Sequence, residues 1–335
     1  MMNKDALGRQ LRDLRISVTD RCNFRCIYCM PREVFDSNHQ FLPKQKVLSL
    51  EEIARLAGVF HQLGVRKFRL TGGEPLLRRN IDYLIRELAS LPDVDVALTT
   101  NGSLPPSRIE QLRDAGLSRM TVSLDSLDDA VFKAINDVGQ SVARVLEWIT
   151  AAEQAGYKPL KINMVVKKGL NEDSILPMAS YFRERGHILR FIEFMDVGTT
   201  NGWRLDEVVP AAKILEVINS EMPVEAIAPS YPGEVARRYR YQDGSGEIGI
   251  IASVTQPFCG GCVRARLSAD GSLYTCLFSD AGYNIRDELR AGATDDELAR
   301  SISAVWQKRD DRYSELRTSH TTLPSRKVEM SYIGG

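Results

Sequence analysis

The stretch that decides the fold reads Cys22-Asn23-Phe24-Arg25-Cys26-Ile27-Tyr28-Cys29. Three cysteines lie in one short loop, directly after a strand-like run, Leu14 to Thr19. Three thiolates are one ligand short of a closed structural zinc site. An odd number also makes no disulfide framework. Three soft ligands on one loop can hold a metal centre with one position open, and an open position is where chemistry happens.

The chain has 335 residues and six cysteines, at 22, 26, 29, 259, 262 and 276, in two groups of three. The N-terminus has no apolar segment of signal-peptide type. No apolar run reaches the roughly 18 residues of a membrane span. These features predict a cytoplasmic protein, where reducing conditions disfavour structural disulfides and favour metal binding. Lys plus Arg and Asp plus Glu are equal at 44 each, so any anion site must be local, and a nucleic-acid partner is not expected. Hydrophobic residues make up 43% and charged residues 26%, enough for a packed core.

Residues 1 to about 200 alternate strand and helix signals, the rhythm of a parallel α/β architecture. Strands are predicted at 13–19, 65–71, 94–101, 119–125, 159–166 and 188–195. Helices are predicted at 50–63, 80–90, 106–115, 128–136, 141–155 and 173–185. Ser49 and Asn171 read as helix starts, and Gly64, Gly116, Gly156 and Gly186 as stops. Along the strands one face is apolar. The other carries Arg15, Ser17 and Thr19; then Arg69 and Thr71; Thr99 and Asn101; Thr121, Ser123 and Asp125; Lys161 and Asn163; and, in the sixth, Glu193 and Met195. A closed barrel fills its interior with branched apolar side chains. A polar inner face therefore predicts a partial (β/α)6 TIM-like barrel over 1–205 whose interior is the active site. A smaller α+β C-terminal domain, 206–335, is expected to close the open side.

That second segment carries Cys259-Gly260-Gly261-Cys262-Val263-Arg264-Ala265-Arg266, then Cys276. Arg264 and Arg266 alternate on a predicted strand and so point the same way. A guanidinium fork suits phosphate oxygens. With Arg15, Arg69 and Lys161 they read as the walls of a pocket for a phosphorylated substrate. From the residues alone, either triad can also be a zinc site with a distant fourth ligand, in a nucleic-acid or scaffold protein.

Cys-x3-Cys-x-aromatic-Cys after the first strand resembles the signature of the radical S-adenosylmethionine enzymes. That resemblance implies a [4Fe–4S] cluster on Cys22, Cys26 and Cys29, with S-adenosylmethionine on its open iron. It also implies adenine along Tyr28 and at the backbone of Met195, the methionine amino group at Gly73 in Leu70-Thr71-Gly72-Gly73-Glu74-Pro75, and a cofactor contact at Ser123. The second triad, the Arg-x-Arg and the terminal Gly334-Gly335 together resemble the members of this superfamily that begin molybdenum cofactor biosynthesis from GTP. The resemblance then implies a second [4Fe–4S] cluster on Cys259, Cys262 and Cys276 holding the guanine. It implies GTP contacts at Arg15, Arg69, Thr99, Lys161, Arg264, Ala265 and Arg266, and catalytic roles for Arg15, Arg264, Arg266, Gly334 and Gly335. An external electron donor, hand-over to the downstream cyclic pyranopterin monophosphate synthase, and a monomer or homodimer belong to the same implication. A two-cluster radical enzyme acting on a peptide or another substrate is the alternative within the superfamily.

Overall fold

The computed structural model describes residues 3–317 and 327–334. Strands and helices alternate in its first part: β1 (Asp13–Ser17), α1 (Leu50–Gln62), β2 (Lys67–Thr71), α2 (Ile81–Ala89), β3 (Asp95–Thr100), α3 (Ile109–Asp114), β4 (Arg119–Ser123), α4 (Asp129–Asn136), α5 (Val142–Gln154), β5 (Lys161–Val166), α6 (Ile175–Glu184) and β6 (Ile188–Glu193). Local chemistry explains the boundaries. Ser49 and Glu52 form a reciprocal capping box that starts α1, worth about 1 kcal/mol. Ile53, Leu56, Ala57 and Phe60 recur at helical spacing and bury that helix against the sheet. The four predicted stop glycines all adopt positive φ.

Asn171 stands at the predicted start, heading a 3-10 turn (Glu172–Ser174) that leads into α6, but its side chain is used elsewhere. It makes no side-chain cap; its Nδ2 donates to the carbonyls of Asp125 and Val165 and its Oδ1 accepts from Lys167 N. It stitches the β4 and β5 loops together instead.

The second part contributes α7 (Ala211–Asn219), β7 (Val224–Ile227), β8 (Arg237–Tyr241), β9 (Glu247–Ile251), β10 (Arg264–Leu267), β11 (Ser272–Tyr274), β12 (Tyr283–Asn284), α8 (Ile285–Arg290), α9 (Asp295–Gln307), α10 (Tyr313–Leu316) and α11 (Met330–Ile333). All described strands form one sheet in the order β12-β11-β10-β1-β2-β3-β4-β5-β6-β9-β8-β7. β10 pairs parallel with β1, and β9 pairs parallel with β6. The C-terminal segment therefore meets the open side by extending both edges of the six-stranded sheet. The sheet stays open: β9 and β10 end a parallel run without pairing to each other. Leu14, Ile16, Phe68, Leu70, Val96 and Leu98 are buried on the helix side, which leaves the opposite face to the concave interior. Among the described residues no helix is long and apolar enough to cross a membrane.

Candidate active site

One cavity runs along the concave face, and all six cysteines line it. Each is a free, half-buried thiol. The first three lie in the loop after β1. Cys29 N and Met30 N both donate to the Cys26 carbonyl, which turns the loop tightly. Gly72 and Gly73, after β2, press against its base. A Cβ on Gly73 would lie 2.1 Å from Arg21 O and 2.8 Å from Cys22 N. Gly73 N–H donates to Thr19 O at 2.9 Å, so the group Gly73 can offer an ammonium is its carbonyl.

Burial pushes the Cys22 thiol up to about 12 and raises Cys26 and Cys29 as well. Such thiols become good ligands only when a metal displaces their protons. No three His, Cys, Asp or Glu side chains among the described residues converge closely enough for a single ion. Three soft thiolates on one loop, with no fourth protein thiolate beside them there, are a donor set suited to an iron–sulfur cluster. Tyr28 projects beside them, its hydroxyl donating to Asp125 Oδ2 at 2.8 Å.

Cys259 and Cys262 flank a single turn before β10, and Cys276 follows β11. At Cys262 the electrostatics are reversed. Burial pushes the Cys262 thiol up, but the nearby Arg264 and Arg309 guanidiniums outweigh it and hold it at about 6. Arg264 Nη2 lies 3.6 Å from Cys262 Sγ. Cys276 is pushed up to about 11, mainly by burial.

Between the triads lies a row of guanidiniums set by strand register. Arg15 sits opposite Arg266 on one side and Arg69 on the other. Side chains in register across neighbouring strands point to the same face. Burial, then Arg266, Arg264 and Arg69, lower the Arg15 pKa well below the usual guanidinium range. Arg69 donates to Thr99 Oγ1 at 3.1 Å and to Thr121 Oγ1 at 3.2 Å. Nε of Arg15, of Arg190 and of Arg264 is buried without a hydrogen-bond partner among the described residues. Unpaired buried cations are costly, and a polyanion bound in this cavity would relieve that cost.

The end of the chain enters the same space. Lys327 Nζ donates to Asp196 Oδ2 at 2.9 Å and to the Tyr313 hydroxyl at 2.7 Å. Glu329 accepts from Thr199 N and the Thr200 hydroxyl, each at 2.9 Å. After α11, Gly334 is buried against Thr71 and Ser17, and its carbonyl accepts from Arg266 Nη1. Gly335 lies outside the described residues.

The Radical SAM superfamily model matches residues 16–182, and the Molybdenum Cofactor Synthesis C model matches 187–315. A GTP 3′,8-cyclase of Acidothermus cellulolyticus is 52% identical, with 99% of each chain covered. The chain belongs to the GTP 3′,8-cyclase family. A Staphylococcus saprophyticus member is 50% identical over 99% of this chain and 98% of its own. Streptococcus suis SuiB bound to S-adenosylmethionine shares the fold, with a TM-score of 0.64 at 15% identity, covering 92% of this chain and 69% of that one. The radical SAM superfamily implies a [4Fe–4S] cluster and S-adenosylmethionine.

Within this GTP 3′,8-cyclase family member, Arg15, Tyr28, Arg69, Gly73, Thr99, Ser123, Met195, Arg264 and Arg266 all line the cavity with the cysteines. Ala265 is fully buried on the helix side of β10 and can offer only backbone. Lys161 lines a separate pocket with Arg119, Tyr231 and Glu234 at the other end of the strands. Met195 O already accepts from Asn201 Nδ2 at 2.9 Å.

Glu193 does not face inward as its alternation with Met195 predicts. It shares the buried face of β6 with Leu189 and Phe191. Its carboxylate accepts from Ala211 N, Val254 N and Thr255 N. The strand ends at Glu193, so Met195 lies beyond the alternation. The side chain missed on the inner face is Arg190, opposite Asn163 in register; burial and the nearby Arg69 push it down to about 9. Correct phasing from Leu189 and Phe191 would have found it. Lys67 was also missed, because Lys at a strand start reads as a solvated end.

Proposed function

We propose that the chain converts GTP to (8S)-3′,8-cyclo-7,8-dihydroguanosine 5′-triphosphate, the first step of molybdenum cofactor biosynthesis. The observation that carries this is the single cavity between two cysteine triads, walled by a row of buried guanidiniums. Cys22, Cys26 and Cys29 would hold a [4Fe–4S] cluster, which with S-adenosylmethionine bound would supply the radical chemistry needed at the nucleotide's ribose.

Every other part falls to the chain's own residues. Gly73, through its carbonyl, receives the methionine ammonium, while Tyr28, Ser123 and the Met195 backbone seat the nucleoside half. Arg15, Arg69, Arg264 and Arg266 neutralise the triphosphate, aided by Arg190 and, from the far end of the cavity, by Lys67. Binding charge of the opposite sign in a site of low dielectric fixes the nucleotide's pose. Cys259, Cys262 and Cys276 would hold a second [4Fe–4S] cluster, which would bind the purine end of the substrate. Gly334 fills the space beside Thr71, Ser17 and Arg266 and keeps water from the reacting carbons. We assign the protein to the cytoplasm, with an external electron donor and a downstream pterin-forming synthase as partners.

The test is anaerobic turnover with GTP, S-adenosylmethionine and a reductant, alongside iron analysis. Cyclised product with about eight irons per chain is expected from two cubane clusters. About four irons with stoichiometric zinc would overturn the second-cluster assignment. S-adenosylmethionine cleavage with no change to GTP would overturn the substrate.

A further inference from the structure

The second triad sits on a mount built from the two ends of the chain. Asp5, Arg9 and Arg309 form a buried ionic network with side-chain exposures of 0, 3 and 1%. Asp5 Oδ2 accepts from Arg9 Nε at 2.5 Å and from Arg309 Nη1 at 3.2 Å. Arg9 Nη1 then donates to the Cys259 carbonyl at 2.9 Å and to the Asp311 carbonyl at 2.8 Å. Arg309 Nη1 donates to the Cys262 carbonyl at 2.8 Å, and its Nε lies 3.3 Å from Asp311 Oδ2. Both cysteines of the Cys-x2-Cys turn therefore have their carbonyls held by a guanidinium from outside the turn.

The N-terminal segment is fixed for this purpose. Chain ends are ordered only when tied down. Here Ala6 N donates to Arg309 O, Leu11 N to Asn3 O, and Trp306 Nε1 to Arg9 O, each at 3.2 Å. The Arg309 guanidinium stacks over the Trp306 ring with 4.6 Å to its centroid. The first triad has a local counterpart: Arg25, within its own loop, donates to the Cys22 carbonyl at 2.9 Å. The second turn contains two glycines and no such residue, so its arginines come from elsewhere.

We infer that Arg9 and Arg309, joined through Asp5, are positioning residues that set the Cys259–Cys262 turn in the geometry its cluster needs. Groups that orient ligands from behind are a recognised control on metal retention and electronic state. A guanidinium fork fixes two acceptors in one plane, which an ammonium cannot do. The network thereby couples the N-terminal segment to the second cluster and leaves the first cluster independent. This inference rests on the two-cluster reading above.

The experiment compares wild type with Arg9→Met, Arg309→Met and the conservative Arg9→Lys and Arg309→Lys, all full-length and reconstituted anaerobically. Iron content, the electron paramagnetic resonance signal of each reduced cluster, and 5′-deoxyadenosine release without GTP are measured. For the Met variants, iron should fall from about eight toward about four per chain. The second cluster's signal should be lost, while 5′-deoxyadenosine release stays within about twofold of wild type. The Lys variants should retain part of the second signal with an altered line shape. Full iron and an unchanged second signal in the Met variants would overturn the inference. Parallel loss of both clusters in all four variants would also overturn it, because the network would then support only overall stability. Wild type with about four irons would instead refute the two-cluster reading itself, before any variant is compared.

Discussion

Arg266 donates from Nη1 to the carbonyl of Gly334, so a guanidinium of the cavity wall holds the end of the chain in the active site. Gly334 has φ 76°, and a Cβ there would lie 2.4 Å from Thr71 Cγ2 and 3.0 Å from Ser17 Oγ. Gly334→Ala therefore cannot keep this position without strain of about 1–3 kcal/mol. Product formation should drop about tenfold or more, with iron content unchanged. Wild-type turnover in the variant would show that the tail is a passive terminus.

Arg15 is opposed by Arg266 and Arg69 in register, and its Nε has no partner among the described residues. Arg15→Met removes one of several crowded cations. The ligand-free protein should then melt about 2 °C or more higher. GTP affinity should fall about tenfold or more through loss of a charge-assisted contact. A variant that melts lower, or binds GTP as wild type does, contradicts the assignment of this row to the triphosphate.

Burial pushes Lys67, which lines the cavity, down to about 7. Above that value the free protein holds it increasingly neutral. A bound triphosphate restores its charge, so binding must take up a proton, and affinity must fall as pH rises from about 7 to 9. Calorimetry at pH 8 in buffers of different ionisation enthalpy should show uptake of about one proton per nucleotide. Lys67→Met should reduce that number. No uptake in the wild type would place the triphosphate away from Lys67.

Cys276 joins its triad from the loop after β11, remote in sequence from Cys259 and Cys262. Cys276→Ala should leave about four irons per chain and an intact S-adenosylmethionine cleavage, with no cyclised product. Undiminished cyclisation would show that the second triad does not hold the substrate.

Much of this was legible because two periodicities act separately. Leu14 and Ile16 against Arg15 and Ser17 give the strand and its inner face at once, and the capping box at Ser49 fixes a helix start. The order of the strands was not legible. Nothing in Arg264-Ala265-Arg266 or in Glu247–Ile251 states that one will lie beside β1 and the other beside β6, since pairing depends on edges that exist only after collapse. Glu193 failed for a related reason. Alternation was carried two residues past the strand's end, and a buried carboxylate that bonds loop amides looks in sequence like an active-site acid. Arg9 and Asp5 were unreadable, because their partners lie about 300 positions away in Arg309 and Asp311.

On the ribosome, β1 to β6 emerge before either strand that will flank them has been made. Until Ile251 and Leu267 are available, a nascent six-stranded sheet exposes two bare edges, the arrangement most prone to pair with another chain. The last two strands to join the parallel run therefore act as built-in edge protection. A truncation ending near residue 205 would produce an aggregating fragment and not a simpler enzyme.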